Sequence, residues 1–451
     1  MVEKAFVVGV CFKGEDLEEA ESLLSELEDL VGTLGIPIQG RMLVTSSKPK
    51  PKFLMGEHRA QEVLAKASQC GADVIVIDND LSPAQQRSWE RLSSLCIIDR
   101  EEVILDIFGK RALSREARLQ VDLARMVYSL PRLTRAWTHL SRQSGGGGTG
   151  GRGEGETQLE TDRRMVRRRI NRLKHELVTV RKQRATQRKQ RQKIPLPHAA
   201  IVGYTNAGKS SLLRCMTGAN VRVENKLFAT LDTTTRKIRL PDGQHLLLTD
   251  TVGFVRKLPH GLVEAFKATL EEAVLADFRV HLLDASHPKV LDFHQTTLDV
   301  LEELGADTHR MLTVFNKMDK VTDRSQVFHI RNLYPDAVFI SVKTGEGRDQ
   351  LVHRLADMID DLVVGIRYRF PVHRSDLVSS IHQYGKVVST RYEEDETVFV
   401  QAIVPNRIRG RFRHFELKDA DDEKEADPSP ADSPVVSDTI GHHQKRNPAE
   451  L

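Results

Sequence analysis

A phosphate-binding loop is the most informative feature of this chain. Residues 203–210 read G-Y-T-N-A-G-K-S, which fits G-x-x-x-x-G-K-S between an apolar run and a helix-like segment. Backbone amides of such a loop hold anionic phosphates. Lys209 should reach the β- and γ-phosphates, and the Ser210 hydroxyl should bind Mg²⁺. An ordinary glycine-rich turn is the competing interpretation of this motif alone. The candidate nucleotide contacts here are Gly203, Tyr204, Thr205, Asn206, Ala207, Gly208, Lys209 and Ser210.

Two further motifs follow in the order found in guanine-nucleotide-binding proteins. Asp250 and Gly253 form D-x-x-G, a weak signal by itself; the carboxylate could hold the Mg²⁺ shell through water, and the glycine amide could reach the γ-phosphate. Asn316, Lys317 and Asp319 form N-K-x-D. An Asp carboxylate accepts from both N1–H and N2–H₂ of guanine, whereas adenine has a donor at neither position, so such a site rejects the wrong base. The intervening candidate residues are Thr251, Val252 and Met318.

Two loops would complete the nucleotide site. Ser341, Val342 and Lys343 form S-x-K after an apolar run, and the backbone amide of Val342 would contact guanine O6. The loop before the D-x-x-G strand should supply a threonine hydroxyl to Mg²⁺, unless it is simply a solvated Thr-rich loop. The candidates are Thr230, Thr233, Thr234 and Thr235. Because most of these motifs end apolar runs, where open α/β sheets bind ligands, the sequence predicts a Mg²⁺-dependent GTP site.

Phe254 occupies the position directly after D-x-x-G, where many GTPases carry a Gln that orients the attacking water. A phenyl ring has no group that can orient water. In addition, no arginine in the sequence can be singled out as a catalytic finger. We therefore identify no catalytic residue and expect slow intrinsic hydrolysis that a partner stimulates.

The elements around these motifs predict an α/β multidomain protein. It consists of an N-terminal α/β domain (1–110), a helical coiled-coil hairpin with a Gly-rich loop and a basic helix (111–197), a P-loop GTPase domain with a mostly parallel sheet (198–364), a small C-terminal α+β domain (365–417) and a disordered tail (418–451). In the hairpin, helices near 111–130 and 157–193 carry apolar residues at alternating spacings of four and three. This spacing is typical of a coiled-coil seam.

The second of these helices is strongly basic. Residues 163–193 contain 14 Lys or Arg and one acid, Glu176. The alternative is a basic helix face that is simply solvated. However, one acid cannot offset the mutual repulsion of the Lys and Arg side chains, so a nucleic-acid partner explains the charge better. The Gly-rich stretch 144–155 could be a flexible linker or a loop that orders against a partner. The candidate RNA contacts are Arg163, Arg164, Arg167, Arg168 and Arg172.

Composition narrows the class of protein. The 451 residues are 39% hydrophobic and 29% charged, with a net charge of +4, as expected for a globular protein of several domains. Four dispersed cysteines predict reduced thiols, with neither disulfides nor a zinc site. No apolar run reaches the roughly 18 residues of a membrane span, and the N-terminus reads as a first strand and not as a signal peptide. We expect a cytoplasmic monomer.

Several sequence segments together form a family pattern: Trp137–Leu140, Gly155–Arg164 with its run E-T-Q-L-E-T-D-R-R, the phosphate loop, Phe228-Ala229-Thr230-Leu231-Asp232 and Asp250-Thr251-Val252-Gly253-Phe254. Through them the chain resembles the HflX family of ribosome-associated GTPases over residues 1–415. One difference stands out: this chain has G-E-G-E at 153–156 where the family has G-P-G-E, so Glu154 adds negative charge and flexibility at a tip that the resemblance places against rRNA.

This resemblance implies a function. Members of the family bind the large ribosomal subunit in a GTP-dependent way, some split stalled or stressed ribosomes, and in some the N-terminal domain is implicated in ATP binding. The resemblance also selects Thr230 as the Mg²⁺ threonine, makes 228–232 a nucleotide-binding switch segment, and directs the Gly-rich loop toward the peptidyl-transferase region.

We therefore expect a Mg²⁺-dependent GTPase that hydrolyses GTP to GDP and phosphate on the 50S subunit and its rRNA, and that splits or rescues ribosomes. The alternative is a GTP-switched RNA-binding assembly factor without active splitting. A GTPase serving tRNA modification is disfavoured, since the sequence shows neither a reactive Cys motif nor a second substrate site.

Overall fold

Three sheets and their covering helices make up the described part of the chain. The computed structural model describes residues 4–93, 95–135, 152–192, 196–218, 227–228, 230–257, 270–393 and 395–417. The strands are β1 (Ala5–Phe12), β2 (Ile38–Ser46), β3 (Val74–Ile77), β4 (Cys96–Asp99), β5 (His198–Val202), β6 (Thr234–Arg239), β7 (His245–Asp250), β8 (Phe278–Asp284), β9 (Met311–Asn316), β10 (Val338–Phe339), β11 (Val363–Pro371), β12 (Lys386–Tyr392) and β13 (Thr397–Pro405). The helices are α1 (Leu17–Thr33), α2 (Glu57–Gln69), α3 (Pro83–Leu92), α4 (Arg100–Arg111), α5 (Arg115–Ser129), α6 (Arg152–Gln192), α7 (Lys209–Thr217), α8 (Val290–Glu303), α9 (Arg324–Leu333), α10 (Arg348–Asp357), α11 (Ser375–Tyr384) and α12 (Asn406–Phe412).

The N-terminal unit, β1–β4 with α1–α4, is built on a parallel sheet in the order β2-β1-β3-β4. Strands β1 and β3 are buried on both faces, which is why they read as almost unbroken apolar runs. Asp16 caps α1 by accepting from the Glu18 amide, and a Ser82–Gln85 capping box starts α3. Apolar runs in the sequence indicate β1, β3 and β4, and helical periodicity or a capping pattern indicates α1 and α3, whereas β2, α2 and α4 were not predicted. β2 is a half-exposed edge strand, so its apolar pattern is weak.

The helical pair, α5 and α6, packs along the predicted seam. Leu119 of α5 is buried against Leu173 and Leu177 of α6, with Leu123, Met126 and Val180 beside them. This confirms the apolar spacing as a helix–helix contact. α6 begins at Arg152, so residues 152–155 of the expected Gly-rich loop are helical. Other sequence features lie outside the described residues: the motif at 137–140, the loop residues 144–151 and the tail 418–451.

The central unit, β5–β10 with α7–α10, has the sheet order β10-β9-β8-β5-β7-β6. Every pair is parallel except the β6–β7 hairpin, which is antiparallel. The parallel strands therefore end at one edge of the sheet. The four nucleotide motifs all follow strands at that edge.

The C-terminal unit is a three-stranded antiparallel sheet, β11-β13-β12, covered by α11 and α12. Its core is aromatic, with Tyr368, Phe370 and Phe412 in mutual ring contact. Throughout the ranges given above, no helix combines the length and apolar character needed to cross a membrane.

One hydrophobic cluster runs through both α/β units. It joins Val31 of α1, Phe108 of α4 and Val121 of α5 to Phe228 and Phe254 of the central unit. Burial of shared apolar surface stabilises this contact in proportion to the area removed from water. The N-terminal unit, α5 and the central unit therefore form one packed body around the candidate site.

Candidate functional site

The loop between β5 and α7 has a backbone that demands glycine at its first position. Gly203 has φ +141°, and a Cβ there would lie 2.2 Å from the Leu282 carbonyl oxygen. Only glycine avoids that clash. The chain then turns so that α7 begins at Lys209, immediately after the loop. Backbone amides at such a helix start can receive an anionic group.

Lys209 lies beneath this loop. Its Nζ donates to the carbonyl oxygens of Gly203 (3.1 Å) and Tyr204 (2.7 Å). Burial lowers the pKa of Lys209 to about 8, although the nearby Asp250 carboxylate opposes the shift. A Cβ at Gly253 would lie 2.7 Å from the same Nζ, so the D-x-x-G glycine leaves room for the ammonium. An anionic ligand here would stabilise the charged lysine.

Two hydroxyls and one carboxylate meet next to Lys209. Ser210 Oγ donates to Asp250 Oδ2 at 2.6 Å and lies 2.7 Å from Thr230 Oγ1, which is itself 2.9 Å from Asp250 Oδ2. Burial raises the pKa of Asp250 above its ordinary value, and the hydrogen bonds from these donors and the charge of Lys209 only partly oppose this shift. Hydroxyl and carboxylate oxygens are ligands that Mg²⁺ accepts. The three residues thus fit a Mg²⁺ site that phosphate oxygens and water would complete.

This oxygen set differs from a metal cage made by protein alone. In the described ranges, no group of three or more His, Cys, Asp or Glu side chains could hold an ion. Mg²⁺ is commonly bound through one or two carboxylates plus substrate phosphates, and this site offers one carboxylate and two hydroxyls.

Asn316 connects the phosphate loop to the loop after β10. Its Nδ2 donates to the Ala207 carbonyl oxygen at 2.9 Å, and its Oδ1 accepts from the Val342 amide at 3.1 Å. Because Asn316 is 2% exposed, both bonds are shielded from water. The phosphate end and the expected base end are therefore held together by one side chain.

Asp319 and Lys317 are each oriented by a neighbour. Ser341 Oγ donates to Asp319 Oδ1 at 2.7 Å, and Lys343 Nζ is 3.9 Å from Oδ2 with its side chain 79% exposed. Lys317 has φ +65° and donates to Asp284 Oδ2 at 2.6 Å. Asp284 was not among the predicted residues, although an acid that ends the apolar strand β8 at the motif edge was a usable signal.

The segment 228–232 divides its side chains between two surfaces. Thr230 faces Ser210 and Asp250, as expected for the Mg²⁺ threonine. Phe228 and Leu231 are buried in the shared core instead. Asp232 Oδ2 accepts from the amides of Leu113 (3.0 Å) and Ser114 (2.9 Å), just before α5. Of these residues, the structure therefore brings only Thr230 to the expected nucleotide site, and Ala229 lies outside the described residues.

Phe254 is bound into the backbone of the phosphate loop. Its amide donates to the Gly203 carbonyl oxygen at 3.2 Å, and its carbonyl accepts from the Thr205 amide at 2.8 Å. The ring is 1% exposed and belongs to the shared core. Thr251 and Val252 are buried beside it, and Thr251 Oγ1 donates to the Ile201 carbonyl oxygen at 2.7 Å. Phe254 is thus a packing residue.

Tyr204 reaches out of the phosphate loop into the N-terminal unit. Its ring stacks on Phe293 with centroids 3.9 Å apart. Its hydroxyl donates to Glu26 Oε2 at 2.7 Å and accepts from the Arg256 amide at 2.7 Å. Burial raises the pKa of Tyr204, so it stays a neutral donor. Sequence reasoning missed Glu26 and Arg256, because no local pattern connects residues so far apart in the chain.

The predicted RNA contacts lie on α6, away from its apolar seam. Arg164, Arg167 and Arg168 are exposed, and Arg163 is half-buried. The Arg172 side chain is 72% exposed and pairs with Glu176 at 3.0 Å. The face opposite α5 is therefore a solvent-facing basic surface.

Family models match most of the chain in three consecutive parts. A model described as "GTP-binding GTPase N-terminal" matches residues 21–109, and one described as "GTP-binding GTPase Middle Region" matches 111–191. A third, "50S ribosome-binding GTPase", matches 198–317 and contains the phosphate loop, D-x-x-G and the first two residues of N-K-x-D.

Full-length relatives are also similar. GTPase HflX of Akkermansia muciniphila is 53% identical over 425 residues, covering 92% of this chain and 97% of the relative. GTPase HflX of Chlamydia pneumoniae is 44% identical over 405 residues, covering 89% and 85%. GTPase HflX of Escherichia coli K12 is 40% identical over 407 residues, covering 89% and 94%. Among solved structures, a GTP-binding protein from Sulfolobus solfataricus in complex with GDP is 23% identical over 80% of this chain and 99% of that chain, with a TM-score of 0.42.

Proposed function

Because this chain belongs to the HflX family of GTPases, we propose that it hydrolyses GTP with Mg²⁺ at the site described above and does so on the large ribosomal subunit. Ser210 and Thr230 would hold the metal directly, and Asp250 would hold it through water. When bound, Mg²⁺ would neutralise charge that develops on the β- and γ-phosphates. Three oxygens of the right type within 2.9 Å of one another carry this proposal.

Lys209 and the loop amides would hold the phosphates. The ammonium now bonds two carbonyl oxygens of the loop, and it would turn to the β- and γ-phosphates without leaving its pocket. A phosphate oxygen carries negative charge whereas the carbonyl oxygens are neutral, so the ammonium is attracted more strongly to the ligand.

Asp319 would select guanine. Ser341 fixes one carboxylate oxygen, and Asn316 holds the Val342 amide toward the same end of the site. The carboxylate would accept from guanine N1–H and N2–H₂, and the Val342 amide would donate to O6. Adenine would leave these groups unpaired, which costs about 1–3 kcal/mol for each buried group.

Intrinsic hydrolysis should be slow. Phe254 offers no polar side-chain atom, and Arg256 is already bonded to Glu26 and Glu19 at 2.8 Å each. A catalytic element from rearranged switch residues or from the partner therefore has to complete the site.

The ribosomal part of the proposal rests on the basic face of α6. Packing against α5 buries its apolar seam and leaves the arginines in solvent, where they can contact phosphates of rRNA. The family model described as "50S ribosome-binding GTPase" supports the same partner. We expect the protein to act as a monomer, and to split or rescue stalled ribosomes.

Turnover with and without purified large subunits tests the proposal. We expect kcat to rise at least tenfold with large subunits and to stay unchanged with small subunits. Light scattering from intact ribosomes, with GTP against GDP, measures splitting. GTP-dependent binding without splitting would instead support an assembly factor that uses GTP as a switch, which the buried, non-catalytic Phe254 also allows. Fast GTP turnover whose kcat does not change when large subunits are added would contradict the proposal.

A further inference from the structure

The C-terminal sheet turns one face to solvent. Helices α11 and α12 pack on the side that carries Tyr368 and Phe370. Because side chains alternate along a strand, the residues between them point to the opposite side. Strand pairing sets Arg369 of β11, Phe399 of β13 and Arg391 of β12 next to one another on that side. We call it the open face.

The open face is mostly basic. Arg367 lies across from Gln401 in the next row, and both are exposed. Lys386, paired with Ile403, follows one row further on. The acid nearest to these rows is Glu393, whose Oε2 is 3.4 Å from Arg369 Nε. It begins the acidic β12–β13 turn, at the end of the sheet opposite to Lys386.

The chain leaves the C-terminal unit beside β11, which is an edge strand. Glu416 pairs with Tyr368 in an antiparallel bridge, and the Leu417 amide donates to the Arg367 carbonyl oxygen at 2.9 Å. The same register, continued, sets residue 419 beside Gly365 and residue 421 beside Val363. Unpaired backbone groups of an edge strand are a template for a further strand.

The sequence that follows Leu417 has the period of a strand and the opposite charge. Residues 418–427 contain six acids and two lysines. Since Leu417 pairs with Arg367, every second residue after it faces the same side as that arginine. Those positions are all acidic: Asp419, Asp421, Glu423, Glu425 and Asp427. A polar segment of this kind gains order only from a partner, and the open face is adjacent.

We propose that residues 418–421 add to β11 as a fourth, antiparallel strand and that the acidic side of 419–427 covers the open face. Strands lie about 4.8 Å apart and each extended residue spans about 3.3 Å, so residues 422–427 are long enough to cross to Lys386. The docked segment occupies the arginines that another polyanion would contact, and it therefore acts as a built-in competitor at this face. This inference is independent of the nucleotide site.

Disulfide formation in the full-length chain tests the strand. Gly365→Cys with Asp419→Cys sets two thiols on one side of a pair whose Cα atoms are about 5.5 Å apart, a distance that disulfides span. A Cβ at Gly365 meets no atom within 4 Å, so the cysteine fits. In the matched control, Gly365→Cys with Ala420→Cys, the second thiol points to the other side. In a glutathione redox buffer the first pair should oxidise at least about tenfold faster, because pairing raises its effective concentration.

Mass spectrometry of peptides separates the new bridge from bridges to the four native cysteines. Equal rates for the two pairs would overturn the strand, since a segment without fixed register offers both thiols alike. Melting temperatures show whether the variants fold. If those at Gly365 do not, Val363→Cys with Asp421→Cys is the next pair on the same side, and Val363→Cys with Asp422→Cys is its control.

Charge variants test the competition. One variant removes three acids of the docked segment: Asp421→Asn, Glu423→Gln and Glu425→Gln. Its control removes three acids farther along the chain: Asp432→Asn, Asp438→Asn and Glu450→Gln. Fluorescent heparin is the polyanion probe. The first variant should bind heparin about fivefold more tightly than the wild-type chain and the control within about twofold of it, although both gain the same net charge.

The gain should disappear when Arg367→Gln and Arg391→Gln are added to the first variant. An equal gain in the first variant and its control would show that net charge alone sets the affinity, and would overturn the competition. A gain that persists without the two arginines would place the acidic segment on another basic surface, such as α6, and would overturn its assignment to the open face.

Discussion

At the scale of single residues, the proposed chemistry depends on Lys209, Asp250 and Asp319, and each is held by different contacts. Carbonyl oxygens surround the lysine, hydroxyls surround Asp250, and one serine fixes Asp319. Their surroundings are polar but poorly hydrated, which strengthens every interaction with a charged ligand. Two predictions concern these side chains.

Asp319→Asn should exchange guanine for xanthine specificity. The amide NH₂ would face the guanine N2–H₂ donor, whereas xanthine carries a carbonyl oxygen there. We expect GTP affinity to fall at least tenfold and binding of xanthosine triphosphate to appear, measured with fluorescent analogues of both nucleotides. Asp336→Asn, at an exposed aspartate, is the control. Unchanged GTP affinity in Asp319→Asn would remove this residue from the base site.

Binding of GTP should be coupled to proton uptake above pH 8. Burial sets the pKa of Lys209 in the free protein to about 8, and phosphate should raise it. The protonated lysine binds better, so affinity should fall as pH rises through 8, by up to about tenfold per pH unit. Calorimetry at pH 8.5 in two buffers of different ionisation enthalpy should report uptake of protons, and much less at pH 7. Zero uptake at pH 8.5 would contradict the assignment.

At the scale of elements, helix α6 has its apolar residues and its charged residues on different sides. Ile170, Leu173 and Leu177 are buried on the side that faces α5, and most of the arginines are exposed on other sides of the helix. A helix with this much net positive charge gains from a polyanion partner by release of that partner's counterions. The helix itself is stabilised through its seam with α5.

Reversing three of these charges should flatten the salt dependence of binding to large subunits. Arg167→Glu, Arg168→Glu and Arg172→Glu together should lower the slope of log affinity against log salt by about one for each lost phosphate contact. Sedimentation at several salt concentrations measures it. A triple variant with the same change of charge elsewhere, Arg41→Glu, Arg59→Glu and Lys66→Glu, should keep the wild-type slope. Association that ignores salt in the wild-type chain would contradict the electrostatic account.

At the scale of the whole molecule, one core connects the N-terminal unit to the nucleotide site. Phe108 and Phe228 belong to that core together with Phe254, and the ion cluster around Glu26 lies beside it. Ligand binding at the central unit should therefore stabilise the N-terminal unit as well, since the two cannot separate without exposing shared apolar surface and buried charges.

Nucleotide should raise the melting temperature reported by a tryptophan in the N-terminal unit. Trp89 is fully buried, and its Nε1 donates to the Phe53 carbonyl oxygen at 3.2 Å. Guanylyl imidodiphosphate at about 100 times its Kd adds roughly 2.7 kcal/mol to the stability of whatever unfolds with the site. In a Trp137→Phe background, the fluorescence transition should shift upward together with the circular dichroism transition. A Trp89 transition that nucleotide leaves unmoved would show that the units unfold independently.

The sequence by itself determined the features whose physics is local. The phosphate loop needs glycine at a position of positive φ, strands β1 and β3 are apolar because both faces are buried, and the α5–α6 seam follows helical periodicity. The four nucleotide motifs could be ordered along the chain, because each comes directly after a strand or strand-like run. Edge strand β2 was not predicted, because a half-exposed strand has too few apolar residues to form a recognisable pattern.

Only the tertiary structure decided what the side chains of Arg256 and Asp232, beside the phosphate site, contact. Arg256 and Glu26 are 230 residues apart, and Asp232 and Ser114 are 118 apart. Such pairs leave no periodicity in the sequence, because they arise when separately formed units dock and bury their charges together. For the same reason the sequence did not predict that the side chains of Tyr204 and Asp232 join the phosphate loop and the segment 228–232 to the N-terminal unit and α5.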